Sequence, residues 1–87
     1  MYEVLVSKKV LRNLERMPES VQDRMAELIQ DLHDSGPFQP TWPNYGRLSS
    51  GRYHCHLTYK WVACWYHHKG SIRIEVYYAG SREDAPY

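Results

Sequence analysis

The chain has 87 residues, of which 43% are hydrophobic, 14% aromatic and 24% charged, so we expect one small globular domain that spans residues 1–87. Eleven Lys and Arg against ten Asp and Glu leave a net charge of +1, which excludes a protein that coats nucleic acid through a general positive field. No apolar run reaches the length of a membrane span and no signal-peptide pattern is present, so we expect a cytoplasmic protein without a membrane segment.

The first half of the sequence predicts one strand and two helices. Residues 1–7 form a short segment with β-branched side chains, which is typical of a strand. Ser7 is a suitable N-cap for a helix that begins at Lys8 and stops at Pro18. A second helix opens at residues 18–20 and ends in the run from Asp34 to Pro37. The resulting helical hairpin needs a sheet to cover its apolar side.

Residues 35–51 contain three Pro, three Gly and three Ser, and this composition predicts a long loop without regular structure. Phe38, Trp42 and Tyr45 lie in this loop. Because aromatic side chains bury large apolar surfaces, we expect these three rings to anchor the loop on the body of the domain.

From Arg52 onward the hydrophobic period is two, which predicts three strands near residues 52–57, 61–66 and 72–78. In the last of these strands, Ile72, Ile74, Val76 and Tyr78 are expected to share one face. Short turns between the strands favour antiparallel hairpins. The predicted fold is α+β, in the order β-α-α-β-β-β, with the helical hairpin packed on a mostly antiparallel four-stranded sheet.

Two histidines share one face of the first of these three strands. Residues two apart in a strand point the same way, so His54 and His56 project together with Arg52. Cys55 points to the other, more apolar side with Tyr53. Imidazoles beside a guanidinium form a small site that can bind an anion and move protons near neutral pH. The alternative is a set of solvated strand residues without a task.

Cys55 and Cys64 are expected to be free thiols, because two cysteines form at most one bridge and a disulfide scaffold of this size normally has more. A hairpin register that sets Cys55 opposite Cys64 would make the two thiols neighbours on the inner face. A metal site at His54, Cys55 and His56 is disfavoured, because strand alternation sends the cysteine to the opposite face from both histidines. We expect no metal.

Residues 80–87 follow the last predicted strand and contain an arginine and a tyrosine with possible roles in binding. Arg82 can make a forked contact with phosphate oxygens. Tyr87 can stack on a base or bring its hydroxyl near a reacting group. A frayed terminus is the alternative for this segment.

The element order, the strand Y-H-C-H-L, the W-V-A-C-W that follows and the segment I-E-V-Y-Y-A-G-S-R-E-D-A-P-Y resemble the RelE/ParE superfamily of bacterial toxins, specifically its RelE-like translational-repressor branch, over nearly the whole chain. The resemblance implies a ribosome-dependent mRNA endoribonuclease without a metal or other cofactor. It implies a cognate antitoxin, the ribosome and mRNA as partners, with a toxin that is monomeric when free and hetero-oligomeric with the antitoxin. The alternatives are a ParE-like inhibitor of DNA gyrase and a catalytically weak relative that mainly binds an antitoxin.

The resemblance also implies roles for individual residues. Those it places in catalysis are His54, His56, Arg82 and Tyr87. Those expected to bind RNA phosphates are Arg52, Lys60 and Arg73. RelE-like enzymes often have lysines where this chain has the two histidines, and an arginine early in the third strand where this chain has Lys60 or Trp61. RNA cleavage by internal attack needs a base for the 2′-OH proton, cations for the phosphorane charge and an acid for the 5′-oxygen.

Overall fold

The computed structural model describes all 87 residues. In chain order its elements are β1 (Glu3–Val6), α1 (Lys8–Glu15), α2 (Glu19–Ser35), β2 (Gly46–Ser49), β3 (Arg52–His56), β4 (Trp61–His67) and β5 (Arg73–Ser81). The strands form one sheet in the order β1-β5-β4-β3-β2, in which only the β1–β5 pair is parallel. The predicted α+β fold is confirmed, with five strands in place of the predicted four.

Strand β2 is the element that the sequence did not predict. It lies inside residues 35–51, where the proline and glycine content argues against regular structure. Gly46 pairs with His54 and Arg47 with Tyr53 before the register shifts at Ser49. An edge strand needs hydrogen bonds on one side only, so it tolerates such a sequence. Pairing with β3 therefore overrides the local propensity of this segment.

Both helices begin and end where the sequence indicates. The Ser7 hydroxyl accepts a hydrogen bond from the Val10 N–H at 3.2 Å, which caps α1. Helix α2 ends at Ser35 and is capped by Gly36, whose φ of 91° lies in the left-handed region that favours glycine. A Cβ at Gly36 would also lie 2.7 Å from the Tyr2 ring, so glycine allows the start of the chain to approach α2. Neither helix has the length and apolar character needed to cross a membrane.

The core lies between α2 and the inner face of the sheet. Helix α2 contributes a buried stripe of four side chains, namely Val21, Met25, Leu28 and Leu32. Trp65 of β4 is the largest fully buried side chain, and its indole Nε1 donates to the Pro37 carbonyl at 3.0 Å. This bond ties the long loop to the centre of the sheet.

The loop aromatics anchor the loop only in part. Trp42 is buried and its Nε1 donates to the Asp31 carboxylate at 2.8 Å. Tyr45 stacks on Tyr53 with 6.1 Å between ring centroids. Phe38 touches Tyr53 edge to face but remains 62% exposed, so the prediction that it is an anchor is wrong. Stacked aromatic rings already fill the space under the loop, which leaves Phe38 at its rim.

The two cysteines lie on opposite faces of the sheet. The turn at residues 58–60 sets a register in which Cys55 pairs with Ala63, while Cys64 pairs with His54. The expectation that the thiols are neighbours on the inner face is therefore wrong by one residue. A slip of one position in a strand exchanges the two faces, which explains the error. Both cysteines are free and fully buried, as predicted for free thiols.

Strand β5 contains a β-bulge. Val76 pairs with Trp65, whereas Tyr78 pairs with the preceding residue of β4, Cys64, so Tyr77 is an extra residue between them. The bulge exchanges the faces of the residues that follow it. Tyr78 consequently lies on the face of Cys64 and not on that of Val76, contrary to the simple alternation expected from the sequence.

Candidate active site

The candidate site occupies the sheet face that points away from the helices. Along β3, Tyr53 and Cys55 are buried, Arg52 is exposed and the two histidines are half-buried. The predicted arrangement, in which His54 and His56 share the open face, is confirmed. Consecutive same-face positions on a strand are about 6.6 Å apart, so the two imidazoles can act on one ligand.

His54 lies in a cross-strand row between Gly46 on β2 and Cys64 on β4. Its Nδ1 atom is buried and has no hydrogen-bond partner. Burial, reinforced by the nearby His56, lowers the pKa of His54 below the ordinary value of 6.5. At neutral pH the ring is therefore uncharged, and because Nδ1 is buried, Nε2 is the ring nitrogen that a ligand can reach. These are the properties of a proton acceptor.

The C-terminal residues bring Tyr87 onto His54. The two rings lie 4.6 Å apart between centroids with 35° between their planes. The Ser81 hydroxyl donates to the Asp84 carboxylate at 3.1 Å and accepts from the Asp84 N–H at 3.2 Å, which closes a tight turn. The segment is therefore folded back on the sheet, unlike a frayed tail. Burial raises the pKa of Tyr87, which keeps its hydroxyl protonated.

His56 opens onto a groove of about 360 Å³ whose lining includes Asn44, Tyr59 and Arg82. The Asn44 amide nitrogen lies 3.5 Å from His56 Nε2. The Arg82 guanidinium stacks over the Tyr59 ring at 4.7 Å, and its backbone N–H donates to the Lys60 carbonyl at 2.7 Å. The predicted cation of the C-terminal segment thus lies beside one of the predicted acid–base residues.

Of the remaining predicted cations, two lie near the other site residues and one does not. Lys60 is exposed in the turn beside Arg82, and Arg52 shares the histidine face with its guanidinium 4.9 Å from the centroid of the Tyr66 ring. Arg73 lies at the first residue of β5, about 26 Å along the strand from its last residue. Its Nε donates to the Glu3 carboxylate at 3.2 Å. The structure does not bring Arg73 together with the other site residues.

The two cysteines do not join the histidines in a common coordination sphere. Cys55 faces the core, on the opposite side of β3 from His54 and His56. Cys64 shares the histidine face but is fully buried, and burial raises its pKa to about 12. A thiol with such a pKa stays protonated at neutral pH, whereas metal ligation and nucleophilic attack both need the thiolate.

Sequence reasoning missed three residues that shape the site. Gly46 makes room for His54, because a Cβ there would lie 2.9 Å from His54 Nε2. Asn44 adopts a φ of 54°, a left-handed conformation that asparagine tolerates better than most residues. Tyr59 supports the Arg82 guanidinium. The only sequence signals for them were the turn-forming Asn and Gly in the loop and the aromatic residue next to Lys60.

No protein-family model and no curated protein matches this sequence. Several solved structures share its fold. The archaeal RelE–RelB complex from Pyrococcus horikoshii OT3 matches with a TM-score of 0.76 and 16% identity over 97% of this chain and 98% of that chain. The free E. coli toxin RelE, as a double arginine mutant, matches with a TM-score of 0.74 and 13% identity over 94% and 84% of the two chains. The YoeB–YefM complex from Staphylococcus aureus matches with a TM-score of 0.72 and 10% identity over 94% and 98%. The chain therefore has the fold of the RelE/ParE toxin superfamily.

Proposed function

We propose that this chain is the toxin of a type II toxin–antitoxin pair and that it cleaves mRNA on the ribosome without a metal. The observation that carries the proposal is the convergence of four side chains on one face of a RelE-like fold. They are His54, His56, Arg82 and Tyr87. An acid–base pair and a cation are the groups that RNA cleavage by internal attack requires, and an aromatic ring can stack on a base to orient the substrate.

The chemistry follows from the types and positions of these groups. Neutral His54 accepts the proton of a ribose 2′-OH, whose oxygen then attacks the adjacent phosphorus. The Arg82 guanidinium holds the charge that develops on the phosphorane oxygens. His56, which shares the groove with Arg82, acts as the acid and gives a proton to the 5′-oxygen as its bond to phosphorus breaks. The products are a 2′,3′-cyclic phosphate and a 5′-hydroxyl.

Tyr87 orients the bound nucleotide in this scheme. One side of its ring packs on His54, while 53% of the residue is exposed. The exposed side can stack on a base, and stacking fixes the nucleotide relative to the acid–base pair. Because misplacement by about 1 Å can cost about 10²-fold in rate, a stacking platform contributes to catalysis without touching the phosphate.

The proposed partners follow from charge and from the structural neighbours. A net charge of +1 gives little long-range attraction for free RNA, so we assign most of the substrate positioning to the ribosome. Among the neighbours named above, RelE from Pyrococcus horikoshii OT3 and YoeB from Staphylococcus aureus were solved in complexes with RelB and YefM. We therefore assign this chain a cognate antitoxin, with the free toxin as a monomer and the complex as a hetero-oligomer.

Primer extension on a translated reporter mRNA after induced expression tests the proposal. The wild-type chain should produce cuts inside the translated region, and His54→Ala or His56→Ala should each lower the cleavage rate by about 10² to 10⁴-fold. Both substitutions lie on a partly solvated strand face, so the free energy of unfolding should change by only about 0.5 kcal/mol. Arg73→Ala is the matched control, because it removes a predicted phosphate ligand that the structure places far from the site.

The outcomes separate the proposed function from its alternatives. Unchanged cleavage by the His54→Ala/His56→Ala double variant would remove both histidines from the mechanism. Gyrase-dependent DNA damage without mRNA cuts would instead establish the ParE-like activity. Antitoxin binding without mRNA cuts or DNA damage would identify a catalytically weak relative.

A further inference from the structure

Two further hollows follow the groove that holds His56 along the surface beside the C-terminal segment. A second hollow of about 250 Å³ shares Tyr59 and Arg82 with it and adds Lys60 and Trp61. A third hollow, of about 320 Å³, shares Trp61 with the second and reaches Arg16 at the end of α1. Adjacent hollows share lining residues and so follow one another along the surface; the three hollows together are here called the tail groove.

Aromatic rings and cations line the tail groove together. The rings are those of Tyr59 and Trp61, and the cations, in order from His56, are Arg82, Lys60 and Arg16. None of the three cations takes part in an ion pair. Tyr59 is 73% exposed, although one side of its ring carries the Arg82 guanidinium. Such an exposed ring next to unpaired cations is not explained by core packing.

Two carboxylates also line the tail groove, and both belong to the C-terminal segment. Glu83 borders the second hollow and Asp84 the third. Asp84 accepts a hydrogen bond from the Ser81 hydroxyl, so its charge is partly engaged. Three cations against two carboxylates leave the groove with a net positive charge, although a weak one. The carboxylates therefore limit the affinity for an anionic ligand without reversing the preference.

We propose that the tail groove binds the single-stranded RNA that flanks the cleaved bond, with phosphates at Arg82, Lys60 and Arg16 and bases stacked on Tyr59 and Trp61. This inference rests on the proposed function and extends it from the reacting phosphate to neighbouring nucleotides. Alternation of stacking rings with cations is how proteins bind single strands without reading a sequence. The three hollows, of about 250 to 360 Å³, lie near the lower end of the size of small-ligand pockets, about 300 Å³, which suits single unstacked nucleotides better than a duplex.

Binding measurements test the tail groove independently of cleavage. RNA oligonucleotides with 2′-O-methyl groups lack the attacking hydroxyl, so they bind without being cut, and fluorescence anisotropy at low salt gives their affinity. Arg16→Gln should weaken binding about fivefold. Because one phosphate contact is lost, the slope of log K against log salt concentration should become shallower by about 0.7. Arg12→Gln is the matched control, because Arg12 lies on the same helix and outside the groove. Glu83→Gln should strengthen binding.

Tryptophan fluorescence gives a second measurement at the same site. Trp42 and Trp65 are buried, whereas Trp61 is only partly buried and lines the groove. Stacked bases should therefore quench mainly Trp61 emission, and the RNA-dependent quenching should disappear in Trp61→Phe. An undiminished quench in Trp61→Phe would overturn the proposed path of the strand.

The remaining outcomes distinguish the groove from the proposed function. Equal weakening by Arg16→Gln and Arg12→Gln would show a general charge effect and overturn the groove, even if the wild-type chain cleaves mRNA. Equal affinity for a duplex of the same length would also overturn it, as would preferential binding of an acidic peptide. The wild-type chain could also fail to cut translated mRNA while Arg16→Gln, but not Arg12→Gln, weakens RNA binding. That result would support RNA binding by the tail groove and contradict the cleavage proposal.

Discussion

Replacing Gly46 by alanine tests whether the position of the His54 ring sets the cleavage rate. Gly46 lies directly opposite His54 in the β2–β3 pair, and a Cβ at Gly46 would lie 2.9 Å from His54 Nε2. Ordinary van der Waals contact begins near 3.4 Å, so the imidazole has to move by about 0.5 Å. The substitution therefore displaces the proposed base and leaves its chemistry unchanged.

The expected loss follows from the size of that displacement. Misplacement by about 1 Å can cost about 10²-fold, so about half that distance predicts a loss of about tenfold in kcat for Gly46→Ala. Stability should be retained or slightly improved, because alanine restricts the unfolded chain more than glycine does. Gly46 has no positive φ, so the backbone accepts the side chain. A fall in kcat with an unchanged melting temperature is the expected signature.

Single-turnover cleavage of a translated reporter mRNA measures this effect. Ser49→Ala, an exposed position on the same strand, is the control and should leave the rate unchanged. Because Gly46→Ala acts through one ring, it should have no further effect in a His54→Ala background. A wild-type rate for Gly46→Ala, or an additional loss in the double variant, would refute the assigned role of the ring position.

Four further predictions use the pKa shifts and the C-terminal segment. Because the pKa of His54 is lowered in the folded chain, cleavage should persist as pH falls below 6.5 and decline only through the lowered pKa. The free energy of unfolding should also decline as pH falls below 6.5, and it should decline less in His54→Ala, as thermal melts will show. Burial raises the pKa of both Cys55 and Cys64 to about 12, so a thiol reagent should label neither rapidly in the native chain at neutral pH. Removing residues 85–87 should lower the cleavage rate by about 10²-fold, and Tyr87→Phe should retain more activity than Tyr87→Ala if the ring acts by stacking.

Features that depend on neighbouring residues could be predicted from the sequence. The Ser7 cap, the stop before Pro18 and the glycine after α2 each act within one turn of helix. The shared face of His54 and His56 follows from strand geometry alone, because alternation needs no knowledge of the partner strands. The proposed acid–base pair could therefore be identified in the sequence as soon as β3 was predicted.

Features that depend on strand register could not be predicted in this way. Both the position of Cys64 and the pairing of Gly46 with His54 are set by how two strands align, and a slip of one residue reverses each result. Strand β2 itself exists because β3 offers it a free edge. The sequence of residues 46–49 contains no local signal that distinguishes an edge strand from a loop.

The contact between Tyr87 and His54 shows how far such register effects extend. The extra residue Tyr77 shifts every later residue of β5 to the other face, so the strand delivers Gly80 to the histidine side of the sheet. The absence of a side chain at Gly80 leaves space for the Tyr78 ring, since a Cβ there would lie 2.7 Å from the Tyr78 hydroxyl. The sequence can therefore supply the residue types of the site, whereas strand register and the bulge in β5 decide on which face of the sheet each of them lies.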